Sequence, residues 1–260
     1  MELTVIKIGG SVVTDKKSDK PKVNSRNLQI IANQLRYFEE PFILIHGAGS
    51  YGHPLAKKSG IDKGIVKKEQ LVAMAETQRL QNVLNSIFCK TMIEKGIPAF
   101  PIQASSQAIM ENGRLSEMDV RTIAGLVKMG IVPICYGVPA YDKKMKCSIL
   151  SGDQIAPYLA KKLGAKRIIE ACDVEGIFTT NPKKDKAAEL INNINRENYE
   201  KIVGNLNGSL ATDVTGGMKQ KYLELIEAAK TGIVCHIVHF KSLKEALNGK
   251  PVGTTIDLNK

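Results

Sequence analysis

Short runs rich in Ile and Val alternate with longer stretches of helical periodicity along the whole chain, and this alternation limits the fold more than any other feature. Residues 3–8, 42–46, 99–102, 131–136, 167–171 and 233–238 are brief, apolar and bounded by Gly, Pro or charge, so they read as buried strands. Residues 27–37, 68–95, 117–129, 154–163 and 216–231 read as helices. Glycine follows the helical stretches at Lys95-Gly96, Met129-Gly130, Leu163-Gly164 and Thr231-Gly232, where a helix end favours a left-handed residue, and a strand begins soon after each. Near-continuous apolar strands alternating with helices imply an α/β protein with a mostly parallel sheet covered on both faces. Ligands of such sheets sit at the carboxyl ends of the strands, so the loops there carry the search for function.

Composition narrows the partners. Among 260 residues, 37 Lys and Arg against 26 Asp and Glu leave a net charge of +11, which favours anions such as phosphorylated metabolites and nucleotides. The lysines are scattered in pairs, Trp is absent and aromatics make up only 5%, so the stacking platform of a single-strand nucleic-acid binder is missing. No apolar run approaches the roughly 18 residues of a membrane span, and the N-terminal run lacks signal-peptide character. A cytoplasmic protein with no nucleic-acid or membrane partner is expected. Five cysteines without CxxC spacing argue against a disulfide framework and a zinc site; Cys89, Cys135 and Cys235 sit in apolar segments as small buried hydrophobes.

Several glycine-bearing junctions carry the chemistry. The first strand ends in Gly9-Gly10-Ser11 just after Lys7, where backbone amides and one fixed cation would converge on an anion, although an ordinary strand-to-turn junction accounts for the two glycines by themselves. The second strand leads into Gly47-Ala48-Gly49-Ser50-Tyr51-Gly52-His53. This string matches GxGxxG, but it follows a second strand, ends in His53-Pro54 and lacks the later acidic residue of dinucleotide binding; an anion loop with a histidine donor is the alternative. Ser151-Gly152-Asp153-Gln154 opens a helix, where Asp153 reads locally as an N-cap, with the orienting of lysines as the second reading. Asp173-Val174-Glu175-Gly176-Ile177 follows a strand, and Asp213-Val214-Thr215-Gly216-Gly217-Met218 precedes a helix with Lys219 or Lys221 one turn inside. Together these junctions would form a rim suited to polyphosphate.

In this order the strings resemble the amino acid kinase superfamily and, within it, the isopentenyl phosphate kinases. The N-terminal Lys7-Ile8-Gly9-Gly10-Ser11 and the Asp213-Val214-Thr215-Gly216-Gly217 string mark the superfamily; the loop ending in His53, with Lys16, narrows it. The resemblance implies a single domain over 1–260, a three-layer αβα sandwich, with residues 1–145 as the acceptor-binding lobe and 146–260 as the nucleotide-binding lobe. It implies ATP and Mg2+ as cofactors, an isoprenoid monophosphate as substrate, a role in isoprenoid biosynthesis and a homodimer. By the same resemblance Lys7, Gly9, Gly10, Ser11 and Gly49 hold the ATP phosphates, while Asp173, Phe178, Gly216 and Lys221 complete the nucleotide seat. Lys7, Lys16, His53 and Lys221 act in catalysis, and Gly47, Ala48, His53, Gly152 and Asp153 hold the acceptor. Val138, Cys172 and Glu175 stand where the family usually has Asp, Thr and Asp.

The chemistry agrees with a phosphate acceptor. Phosphoryl transfer asks for positioning and positive charge rather than covalent help. A phosphate monoester is already mostly a dianion at neutral pH, so it needs no general base, whereas an alcohol acceptor would need a placed carboxylate. Met74, Ala75, Leu80 and Leu84 on the long helical stretch would wall an isoprenoid tail, although core packing explains the same stripe. A kinase for another small phosphate or phosphonate such as fosfomycin, and a non-catalytic nucleotide binder, are the alternatives.

Overall fold

The computed structural model describes residues 2–15, 18, 20–180, 182, 185–202 and 217–259. Within these, strands β1 (Thr4–Ile8), β2 (Phe42–His46), β3 (Ala99–Pro101), β6 (Val132–Tyr136), β9 (Arg167–Cys172), β10 (Asn193–Ile194), β11 (Val234–His239) and β12 (Thr254–Ile256) form one sheet in the order β10-β12-β11-β9-β1-β2-β6-β3. Every neighbouring pair is parallel except β11 with β12.

The period-two alternation of β-strands separates two cores. Val5, Ile43, Ile45, Ile168, Cys235 and Ile237 face the helices α5 (Arg121–Lys128), α6 (Gly152–Leu163) and α7 (Gly217–Ala229). Ile6, Ile8, Leu44, Ile169 and Val238 face α2 (Ser25–Leu35), α4 (Glu69–Ile93) and α8 (Leu243–Leu247). The result is the expected three-layer αβα arrangement. All five cysteines are buried and unpaired, and burial pushes the thiols of Cys89 and Cys135 up to about 12. No helix among the described residues is long and apolar enough to cross a membrane.

Two expectations need correction. The helix expected over 117–129 begins only at Arg121, because Arg114–Met118 is a strand, β5, paired antiparallel with β4 (Ala108–Glu111). The hairpin turns through Asn112 and Gly113, both at positive φ (50° and 79°), a pairing that matches the right-handed twist of the strands. With β7 (Val138–Asp142) and β8 (Lys146–Leu150) this hairpin builds a second, four-stranded sheet. Val138 opens β7 with its side chain in the core. The expected apolar stripe on α4 also divides. Leu84 is fully buried in the core and Leu80 packs against it, Met74 packs on a small cluster with Ile61 and Cys147, and Ala75 is exposed.

Asp142 locks the second sheet. Its fully buried carboxylate accepts the backbone N–H groups of Asn112 (3.1 Å), Gly113, Lys144 and Met145 (each 2.8 Å). Burial alone would raise its pKa, but these N–H donors hold it well below the usual carboxylate range. Asp142→Ala is therefore expected to destabilise the fold by about 3 kcal/mol, since several amides lose a charged partner. For a chain of this size that is a fall of about 6–12 °C in Tm. The depressed carboxyl contributes stability that is complete above the unfolded Asp range near pH 4 and is lost as pH falls below it. Thermal melts from pH 7 to pH 3 should therefore show a shallower acid slope in the variant than in the parent chain.

Candidate active site

The carboxyl ends of β1, β2 and β9 lie side by side, and the loops leaving them fold onto each other. Gly9 N–H donates to the Ala171 carbonyl (2.9 Å) and Gly47 N–H to the Ile8 carbonyl (3.0 Å). A Cβ at Gly10 would stand 2.6 Å from Gly49 N, and one at Gly47 would stand 2.5 Å from Gly10 N, so the two loop backbones touch. Gly49 adds a positive φ of 51°. Thr14 fastens this contact: its hydroxyl donates to the Gly10 carbonyl (2.8 Å) and accepts from the Ser50 N–H (2.9 Å). Gly10 and Ser11 open the short helix α1 (Gly10–Val13), whose first N–H groups have no partner within the helix by its geometry.

Beneath these loops the charges gather. Lys7 and Glu170 are register partners on adjacent strands and project from the face covered by α6 and α7. Lys7 Nζ lies 2.6 Å from Asp153 Oδ1 and 3.1 Å from Glu170 Oε2. Lys221 Nζ lies 2.5 Å from the same Asp153 oxygen and 2.7 Å from the same Glu170 oxygen. Two ammoniums and two carboxylate oxygens thus form a closed quartet, with Lys7, Glu170 and Lys221 all buried. Burial would raise the Asp153 carboxyl, but the fields and hydrogen bonds of Lys7 and Lys221 outweigh it and hold the group well below its ordinary range. Burial likewise opposes charge on Lys221, and Glu170, with Asp153, more than restores it, raising its pKa well above the ordinary lysine value.

The local reading of Asp153 as an N-cap is overturned. Ser151 is the cap of α6, its hydroxyl accepting the Gln154 N–H (3.3 Å), which leaves Asp153 in the first turn free to reach the lysines. Gly152 sits against the Lys7 stem, where a Cβ would lie 3.3 Å from Cε.

The 47–53 loop extends this edge. His53 is exposed and begins α3 (His53–Ser59), followed directly by Pro54. Behind the loop Gln81 of α4, fully buried, donates to the Ala48 carbonyl (3.4 Å) and lies so close to Gly52 that a Cβ there would meet its Nε2 at 2.4 Å. His46 stacks between Phe88 and Tyr136 and bridges the Gly47 carbonyl (3.1 Å) and the Asn85 amide (3.2 Å). Burial lowers its pKa to about 4, so it stays neutral at physiological pH.

On the other flank, Asp173 follows β9 directly and lies within electrostatic reach of His239 at the carboxyl end of β11. Gly176 packs against Thr254, whose hydroxyl accepts the Ile177 N–H (2.8 Å), and Phe178 bridges to Leu190. Lys16, Gly216 and the 213–215 string lie outside the described residues. The structure therefore brings Lys7, Gly9, Gly10, Ser11, Gly47, Ala48, Gly49, Gly152, Asp153 and Lys221 together, with Asp173 on the adjoining strand end. Three contributors escaped the sequence reading: Glu170, Thr14 and Gln81. Glu170 alone carried a signal, as a carboxylate inside an apolar strand, which demands a buried partner.

Comparison with known proteins agrees with this arrangement. Residues 2–239 match the model of the amino acid kinase family. The isopentenyl phosphate kinase of Methanothermobacter thermautotrophicus is 36% identical, with 98% of each chain covered. That of Methanocaldococcus jannaschii is 35% identical over 99% of this chain and 100% of its own. A crystal structure of isopentenyl phosphate kinase superposes with a TM-score of 0.85 at 32% identity, covering 98% of this chain and 100% of the other. The chain belongs to the amino acid kinase family, and within it stands with the isopentenyl phosphate kinases.

Proposed function

We propose that the chain transfers the γ-phosphoryl group of ATP to isopentenyl phosphate, giving isopentenyl diphosphate and ADP. The observation that carries the chemistry is the pair of buried lysines beneath two touching glycine loops; the full-length likeness to isopentenyl phosphate kinases carries the acceptor. An acceptor phosphate oxygen attacks the γ-phosphorus as the bridging bond to ADP breaks, and no proton has to be removed from a dianionic acceptor.

In this reading the amides of Gly9, Gly10 and Ser11, with Gly49 above them, cradle the ATP phosphates. Lys7 and Lys221 neutralise the charge on the transferring group, with Lys16 as a third cation. Asp173, Phe178 and Gly216 border the nucleotide. The Gly47 and Ala48 amides, His53 and Gly152 receive the acceptor phosphate, and Asp153 sets the lysines. Residues 1–145 form the acceptor lobe and 146–260 the nucleotide lobe, with the ATP phosphates held by the 9–11 loop at their junction, Gly152 reaching across to the acceptor and the β7–β8 hairpin crossing between them. Among the described residues no group of three or more His, Cys, Asp or Glu side chains could hold a metal ion. Asp153 and Glu170 are engaged by lysines, so a Mg2+ ion arriving with ATP would be held mainly by the nucleotide rather than by these carboxylates, and would supply further neutralising charge. The family resemblance extends the reading to a cytoplasmic homodimer, whose assembly sedimentation would test.

An ADP-release assay against isopentenyl, dimethylallyl and geranyl phosphates, fosfomycin, UMP, glutamate and acetylglutamate tests the acceptor. Isopentenyl phosphate should give the highest kcat/KM; preference for an amino acid or a nucleotide would overturn the reading. His53→Ala should raise KM for isopentenyl phosphate at least about tenfold, as expected for loss of a donor to a charged group. KM for ATP should stay within about twofold, because His53 serves only the acceptor phosphate in this reading. An unchanged acceptor KM would remove His53 from the site.

A further inference from the structure

The lysine quartet holds one carboxylate more than the relief of lysine repulsion requires. Asp153 alone touches both ammoniums, at 2.6 and 2.5 Å. Glu170 Oε2 touches both again, at 3.1 and 2.7 Å, and brings the four side chains to zero net charge. An ammonium has three N–H donors. Lys221 directs two donors at these carboxylate oxygens, and Lys7 directs one at Asp153 with Glu170 at ion-pair distance, so a phosphate that arrives meets only the donors that remain. A nucleotide must therefore compete with both acids for the lysine protons.

The two acids differ in how they are held. Asp153 stands in the first turn of α6 with a fifth of its side chain exposed, at the rim. Glu170 is only 1% exposed. It lies on β9 between β1 and β11, pairing with Lys7 on one side and Ile237 on the other, so it has no route out of the sheet floor.

Building on the kinase reading, we infer that Glu170 is a positioning residue that holds Lys7 and Lys221 in the empty site and, as a resident anion competing for their protons, limits the grip on the terminal phosphates so that ADP leaves after transfer. The lysines stay aligned and charged before the nucleotide arrives, and the nucleotide gains only part of their field. Charge removal at this depth acts through a low effective dielectric, so its effect on nucleotide affinity is large.

Calorimetric titration with ADP, without acceptor, tests this in three variants. Glu170→Gln keeps the shape and removes the charge, Glu170→Leu replaces the carboxylate with an apolar group, and Glu170→Asp keeps the charge. The Gln and Leu variants should bind ADP at least about tenfold more tightly, about 1.4 kcal/mol, and show a lower KM for ATP and a lower kcat as product release slows. The Asp variant should stay within about threefold of the parent, and KM for isopentenyl phosphate should stay within about twofold throughout. Binding by the Gln and Leu variants equal to or weaker than the parent overturns the proposal. So does equal tightening in the Asp variant, or failure of both the Gln and Leu variants to fold, which would assign Glu170 to the fold alone. A parent chain that binds ADP but leaves isopentenyl phosphate untouched contradicts the acceptor reading and leaves the Glu170 result standing.

Discussion

Lys221→Met is expected to lower kcat by about 10^3-fold while the chain remains folded. A preorganised cation aimed at developing charge is worth about 10^2 to 10^3 in rate by itself. Here its loss also leaves Asp153 and Glu170 sharing Lys7, so the site changes from neutral to a net charge of −1. Breaking a buried ion pair from one side costs about 3–5 kcal/mol, and the variant should melt correspondingly earlier. Circular dichroism at 25 °C, with ADP release measured on the same sample, separates the two losses. The companion Lys7→Met should behave alike, and the double variant should cost far less than the two losses added, because both lysines act in one network. Turnover within tenfold of the parent in either single variant would remove the quartet from catalysis.

Gly10→Ala should be nearly as damaging, for a reason that has nothing to do with charge. The added methyl would meet Gly49 N at 2.6 Å and Gly49 Cα at 3.0 Å, both backbone atoms that no side-chain rotation can move. The two loops must part, and a displacement of about 1 Å between phosphate-binding groups costs about 10^2-fold in kcat/KM. Overpacking of this kind destabilises by about 1–3 kcal/mol. Gly49→Ala meets a worse obstacle, since its φ of 51° is combined with a Thr14 hydroxyl 1.9 Å from the new carbon. Both variants should keep the far-UV spectrum of the parent and lose affinity for ADP.

Much of the main sheet was legible in the sequence, because its central strands β1, β2, β6 and β9 are buried on both faces and advertise themselves by hydrophobicity, whereas the short β10 and β12 at its edge carry no such run. The run 42–46 coincides with β2, and the expectation of a parallel sheet pointed to the carboxyl edge, where the glycine loops and the lysine quartet lie. The second sheet escaped for the opposite reason. Its β5, Arg-Leu-Ser-Glu-Met, is half exposed and only partly apolar, and its strongest signal was the Asn112-Gly113 turn rather than any hydrophobic run. The quartet was half legible. Lys7 and Lys221 stand beside glycine strings and attract notice, but Glu170 becomes meaningful only through the register that sets it beside Lys7. Asp153 shows the limit of local reasoning: Ser151 and Asp153 are both good cap residues, and only packing decides which one caps and which one reaches the lysines.

The most direct test of the account is a crystal structure with isopentenyl phosphate and a non-hydrolysable ATP analogue bound together. The β- and γ-phosphates are expected against the 9–11 amides with the Lys7 and Lys221 ammoniums turned toward them. The acceptor phosphate is expected between the 47–48 amides and His53, its attacking oxygen about 3–3.5 Å from the γ-phosphorus and in line with the leaving oxygen. Nucleotide phosphates bound away from both lysines, or an acceptor phosphate seated anywhere other than the 47–53 loop, would contradict it.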